Sequence, residues 1–541
     1  MRRTAIGLLL IPATLSFWPH QSERVTIAGL GSIDFPVTTQ SDSARQAFLR
    51  GTLLMHLFHY PRAVAAFREA ERLDSGFTMA WWGEAMAFNY AVWSIQYPDS
   101  ARAALARLGP PATRDAKART PRERDYLESV EILYGAGSKA HRDTAYAAAV
   151  KRLSAKYPHD DEATLLYALA LLGLNQGVRD VPTFERAYAV AMDVFRQHPD
   201  HPGASHYVIH ATDDPDHARL GLDAAHALAL SSPIAEHAQH MTSHIFLALG
   251  MWDDVVKANE RSTHIDTTIK AMGGMKHSTC GHGVSWLHYG YLAQGRVTAA
   301  ADLLANCQAG AQASPDATAF ESLDPDDSWM FSAVSMWSRC LIDTEDWSGS
   351  QSRWTPALGN APGPRLTYFF AQGYAAAKRG DLHTARTALA ALQSANREAA
   401  AGATERSDAS PRRIESEKRA RVLDLELQAA ILAAENHHEN AIALLRQATA
   451  IEDRLAYAFG PPGVDKPSHE QLGEELLTLK QSAAARKEFR LSLKTAPRRP
   501  ASLRGLALAD EAAGLHAESI AARKELASVW HSADATLPLP P

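Results

Sequence analysis

Twelve of the chain's 24 histidines fall between His201 and His288. Imidazole binds Zn, Cu, Fe and Ni and titrates near neutral pH, so such crowding is a candidate for metal or acid–base chemistry. His206 and His210 are four residues apart; His237, His240 and His244 are spaced three and four. On a helix each set shares one face. His206 lies 34 residues before His240, and His210 lies 34 before His244. In a chain built of repeats of that length, these four occupy equivalent positions on the first helices of successive repeats. His237 precedes Gly250 by 13 residues and His282 precedes Gly295 by 13, which makes those two equivalent as well. Packed helix axes run ~8–10 Å apart. Six imidazoles, those of His206, His210, His237, His240, His244 and His282, are therefore expected to converge across three helices. A divalent transition metal is the cofactor this predicts, as one ion with spare acid–base groups or as two ions. In an exported protein Zn and Cu fit. The competing account is a buried histidine ladder, hydrogen-bonded between helices. That ladder is costly unless a metal or an anion compensates for crowding so many titratable rings.

Other groups could join such a site. Asp213 and Asp214 follow His210 at a turn, as ligands, as acceptors that fix imidazole tautomers, or, for Asp213, as a catalytic carboxylate. Glu84 sits inside AWWGEAMAF, where it is either a groove-facing general acid or base or half of a salt bridge to an arginine. Cys280, two residues before His282, is a weaker candidate ligand. The remaining histidines of the region, His217, His226, His264, His277 and His288, fall off the register. FGPPGVDKPSHEQLGEELL (459–477) breaks and restarts a helix, carrying Lys466, Glu470 and Glu474 with Glu452 just before. It is either a lid over the groove or a packing corner between repeats. Arg498 and Arg499 are expected to cap a helix C-terminus. No phosphate loop, dinucleotide fingerprint, Gly-x-Ser-x-Gly elbow or His-Glu-x-x-His is present.

The elements that must position these residues recur. An apolar helical run ends at a small or polar break, and an alanine-rich amphipathic run follows. FLALGMWDDVVKANERS (246–262), YLAQGRVTAAADLLANC (291–307), AAAKRGDLHTARTALAAL (375–392), AAENHHENAIALLRQA (433–448), LTLKQSAAARKEFRLSL (477–493) and ADEAAGLHAESIAARKEL (509–526) all show it. MHLFHYPRAVAAFREAERLD (55–74) and DPDHARLGLDAAHALAL (214–230) are less regular copies. Gly250, Gly295, Gly380 and Gly514 sit at the breaks, where a left-handed residue ends the first helix. With Leu249-Gly250-x-Trp252, an alanine after the turn and a period of about 34, the chain resembles the tetratricopeptide repeat family. HPGASHYVIHATDDPDHA, HAQHMTSHIFLALGMWDDV and AFGPPGVDKPSHEQLGEELL resemble a bacterial subgroup of that family with a His-rich repeat pair. The resemblance implies a right-handed all-α solenoid and no particular activity. The expected organisation is a signal or anchor over 1–22, a solenoid over 41–393, a polar linker or solvated helix over 394–419, further repeats over 420–530, and a tail over 531–541.

Length alone, 541 residues, suggests three or four domains, but one continuous solenoid can replace them. Hydrophobic residues are 46% and charged residues 21%, which excludes a disordered or fibrous chain. The net charge of −6 lacks the basic surplus of a nucleic-acid binder, so no nucleic-acid partner is expected. Three cysteines allow at most one disulfide. MRRTAIGLLLIPATLSFW has the charge-then-apolar order of an export signal or uncleaved anchor, so the chain is expected in the periplasm or held at the membrane by that segment. Two functions follow. One is a metal site in the concave groove, hydrolytic through Zn-bound water or oxidative through Cu, acting on a small molecule or peptide. The other is a scaffold that holds a peptide or protein partner.

Overall fold

The computed structural model describes residues 24–175, 178–272, 280–313, 329–404, 411–457 and 459–534. The expected signal or anchor over 1–22 lies outside them, as does 535–541 of the tail. Twenty-four α-helices account for the described chain, apart from short 3-10 turns and two antiparallel hairpins, Val25–Ile27 with Gly31–Ile33 and Asn89–Tyr90 with Ile95–Gln96. The stretch 394–419 is helical on both sides of 405–410, within Leu382–Thr404 and Pro411–Ala434. No described helix is long and apolar enough to cross a membrane.

All eight turns read from the sequence are turns between antiparallel helices. Pro202–Thr212 is followed by Ala218–Ser231, Glu236–Ala248 by Trp252–Met272, and His282–Ala293 by Val297–Ala313. The left-handed residue at the break is glycine at 250, 295, 380 and 514, but Phe58, Asn436 and Lys480 take the same conformation elsewhere. Proline at the first helical position and a side-chain cap begin many helices; His201 caps Pro202–Thr212 by accepting from the Ala204 N–H.

Packing repeats with the same register at both ends. Gly51 and Gly83 flank the buried ring of Phe67, 16 residues from each; Gly473 and Gly505 flank Phe489 at the same spacing. A Cβ at Gly51 or Gly473 would lie 2.8 Å from the ring it faces, so only glycine admits that ring between two first helices. The chain is thus a tetratricopeptide-type solenoid, an all-α stack of helix pairs. Gly505→Ala is expected to destabilise the C-terminal repeats by about 1–3 kcal/mol, because its methyl meets Phe489 and the ring has no space to yield. Urea unfolding followed by circular dichroism measures this; an unchanged midpoint would refute it.

The solenoid turns back on itself. Arg498 donates to the Gly250 carbonyl at 2.9 Å, and the Trp252 indole donates to the Arg498 carbonyl at 3.2 Å. Asp534 accepts from the Thr298 N–H and hydroxyl. Leu503, Leu526 and Val529, from the last two helices, belong to the same core as residues 30–293. Arg498 therefore binds the turn that ends a distant helix, Glu236–Ala248, and not the end of the helix just before it in sequence. Arg499 starts the Pro500–Ala512 helix, fully buried among carboxylates.

Candidate metal centre

Three neighbouring helices deliver the six imidazoles. Pro202–Thr212 carries His206 and His210, Glu236–Ala248 carries His237, His240 and His244, and His282 opens His282–Ala293. Ring centroids link them into one array: His206 to His210 at 4.8 Å, His206 to His237 at 5.3 Å, and His210 to His244 at 5.9 Å. His237 to His240 is 6.2 Å, His240 to His244 5.1 Å, and His240 to His282 4.7 Å. The array divides into two triads, His206–His210–His237 and His240–His244–His282. Within each, one ligand atom per residue lies within 4.8 Å of the others.

Neighbouring groups fix which nitrogen of several rings faces inward. Asn259 Nδ2 donates to the Val255 carbonyl, so its Oδ1 is the acceptor facing His240 Nδ1 at 2.7 Å, and that nitrogen carries the hydrogen. His244 Nδ1 donates to Asp213 at 3.0 Å, and His206 Nδ1 donates to the His56 carbonyl at 2.6 Å. Burial first, then the repulsion of neighbouring rings, keeps these imidazoles neutral: His206 is pushed down to about 3, and His210, His237, His240 and His244 well below the usual value. Two results follow. The Nε2 atoms of His206, His210 and His237 are buried with no hydrogen-bond partner. The Nε2 atoms of His240 and His244 face each other at 3.3 Å, both as lone pairs. Two acceptors at that distance repel unless a cation lies between them. Two nitrogens on one tetrahedral Zn, each ~2.0–2.1 Å from it, are roughly 3.3–3.4 Å apart.

Aromatic side chains wall the array. His244 lies between Trp286, stacked at 4.4 Å, and Phe459, stacked at 5.2 Å. Phe58 covers His206, His210 and His237 at 4.2, 5.5 and 5.7 Å. Phe58 has φ 58°, a strained conformation for an aromatic residue, held where it places a ring on three imidazoles. The 459–477 segment therefore contributes Phe459 to the site, and Gly460 packs against Trp286. Its charges are spent elsewhere: Lys466 pairs with Glu470 and Glu474, and Glu452 accepts from the Ser468 N–H.

The remaining candidates fall differently. Asp213 is at the site but engaged on both sides, accepting from His244 and paired with Arg179 at 2.6 Å. It orients a ring and is not a free catalytic carboxylate. Asp214 pairs with Arg179 and His217. Cys280 is bonded to Cys307 in a disulfide, which removes it as a ligand. Glu84 is not a groove acid. It is fully buried outside the array, between Arg68 at 2.7 Å and Arg107, with Glu71 beside it.

That acidic pair has a pH signature. Burial, then the hydrogen bond and charge of Glu84, push Glu71 up to about 8. Between its unfolded value near 4.5 and about 8 the folded state keeps a proton that the unfolded state has lost, so stability falls as pH rises through this window. Glu71→Gln removes the term. The melting temperature of the variant relative to wild type is expected to climb from pH 5 to pH 8 and then level; a constant difference would refute the assignment.

Sequence spacing misses a third group, His56, Glu162 and His201, because its members come from distant helices. Glu162 accepts from both rings at 2.7 and 2.9 Å, His56 Nδ1 meets the Tyr207 hydroxyl at 2.7 Å, and His201 Nδ1 accepts from Ala204. Every ring nitrogen is matched, so this group is a closed hydrogen-bond network that holds the start of Pro202–Thr212. Burial opposes the Glu162 charge, and the two imidazoles overcome it, holding the carboxyl well below its usual range.

No family model and no curated protein matches the chain. Among solved structures it is similar to the human IFIT1 dimer with m7Gppp-AAAA, at 13% identity over 92% of each chain and a TM-score of 0.34. An IFIT1 monomeric mutant with Gppp-AAAA is similar at 13% identity over 91% of this chain and 92% of that one, TM-score 0.35. A chain of an APC/C hetero-tetramer is similar at 12% identity over 91% and 76%, TM-score 0.31.

Proposed function

We propose that this chain binds a divalent transition metal, zinc or copper, through the six-histidine array, and that the bound metal acts on a small molecule entering the groove. The observation that carries this reading is the 3.3 Å approach of His240 Nε2 to His244 Nε2, on two rings whose Nδ1 atoms both face acceptors, Asn259 Oδ1 and Asp213. The partnerless Nε2 atoms of His206, His210 and His237 support it, as does the anchoring of Nδ1 atoms by Asn259, Asp213 and a carbonyl, the usual support for metal-bound imidazole. Three protein ligands on Zn leave a fourth position for water or substrate, the arrangement that lowers the pKa of bound water and permits hydrolysis. A small molecule is favoured over a peptide because the C-terminal repeats dock on the turns at Gly250 and Gly295. The Cys280–Cys307 disulfide supports an exported, oxidising location, in keeping with the charge-then-apolar start of the chain.

Elemental analysis of tag-free protein tests the reading. After loading with zinc or, separately, copper and desalting, the chain is expected to retain at least one equivalent. Retention of none would overturn the proposal.

A further inference from the structure

We infer that the array is a two-ion centre, one ion on His206, His210 and His237 and a second on His240, His244 and His282, spanned by an oxyanion. The inference rests on the metal-binding reading and deepens it. Ligands of one Zn, each ~2.0–2.1 Å from the ion, all lie within about 4.2 Å of one another. The six imidazoles fall into two triads, each with one ligand atom per residue within 4.8 Å of the others, a somewhat wider limit. Between triads the rings touch only at His210–His244 and His237–His240, 5.9 and 6.2 Å between centroids.

Each triad also has its own anchoring. His206 is held by the His56 carbonyl, whereas His240 and His244 are held by Asn259 and Asp213. The first triad has ligand atoms of its own: the Nε2 atoms of all three of its rings are buried without a hydrogen-bond partner. The chain places the triads side by side. His237 serves one and His240 the other, three residues apart on a single helix, which is ~4.5 Å of rise.

Charge then specifies the third component. An imidazole ligand adds no negative charge to the ion it binds, and Asp213, the carboxylate hydrogen-bonded to His244, is already paired with Arg179. Two dications on adjacent turns, buried and held by neutral ligands, need negative charge between them. A group with two oxygens that reaches both ions supplies it. The ligand class is thus an oxyanion, phosphate or carboxylate, free or as part of a larger substrate.

Zinc titration of the tag-free full chain, read as bound metal per chain, is the test. Wild type is expected to hold two equivalents, and His206→Ala and His282→Ala one each. The wild-type count decides the matter even where a variant fails to fold. One equivalent in wild type would overturn the two-ion centre and leave metal binding standing; none would overturn both. Inorganic phosphate is expected to raise the melting temperature of the two-zinc form by several degrees, and not that of the metal-free or one-zinc forms. Carboxylate is probed in parallel with acetate. No shift of the two-zinc form with either anion, or the same shift without metal, would overturn the bridging oxyanion.

Discussion

His240→Ala is expected to remove one zinc equivalent and, with it, that ion's share of the metal-dependent rise in melting temperature. His240 sits in the middle of its triad: His244, His282 and Trp286 lie 5.1, 4.7 and 4.8 Å from its ring, and His237 6.2 Å. A ligand that binds only the folded state stabilises it by about 4 kcal/mol at a thousand times its Kd, so losing the ion costs that much under those conditions. In metal-free protein the same substitution also removes one of two lone pairs that face each other at 3.3 Å, which offsets part of the lost packing. The gap between variant and wild type is therefore expected to be small without zinc and large with it. Equal destabilisation in both states would mean that the histidines form a structural ladder. Thermal unfolding with zinc and with chelator makes the comparison directly.

Arg499→Met is expected to destabilise the chain by about 3–5 kcal/mol, whatever the metal content. The Arg499 guanidinium is buried and bonds Glu470 at 2.9 Å, Asp343 at 2.6 Å and the Tyr289 hydroxyl at 3.4 Å. Burial opposes the charge of Glu470, and Arg499 and then Lys466 overcome it, so that its carboxyl stays well below its usual range. Without Arg499, Glu470 retains Lys466 and Ser502, while Asp343 loses the cation at its side. The loss concentrates where Pro500–Ala512 meets Trp329–Thr344 and His282–Ala293, the seam that closes the solenoid. Arg504→Ala, by contrast, breaks an exposed pair with Glu345 and is expected to cost under about 1 kcal/mol. Equal effects of the two substitutions in urea unfolding would contradict this ranking.

These two sites mark the boundary of what the sequence discloses. Local periodicity is enough to find all eight helix turns, because each turn is written in about 16 contiguous residues. The 34-residue register places His206, His210, His240 and His244 on one inner face, since equivalent positions on successive first helices point the same way. Contacts made by the curvature of the whole superhelix carry no such signal. His206 meets the His56 carbonyl across 150 residues, Arg499 meets Asp343 across 156, and Arg498 meets Gly250 across 248. Reading Arg498 and Arg499 as helix caps treats as local what is a seam between distant repeats. Phe58 is hidden for a different reason. Its position is a turn where glycine is expected, and an aromatic residue there signals function only after its left-handed φ is seen. Glu84 illustrates the converse: its apolar flanks indicate burial, but only the structure supplies Arg68 and Arg107.

X-ray absorption at the zinc edge of the loaded, tag-free chain tests the central claim most directly, because it reports the ligand atoms themselves. A first shell of nitrogen and oxygen at ~2.0–2.1 Å, with the outer-shell scattering of at least three imidazoles per zinc, is the expected spectrum. A shell of oxygen alone, or sulfur at ~2.3 Å, would place the metal elsewhere on the chain and contradict the account.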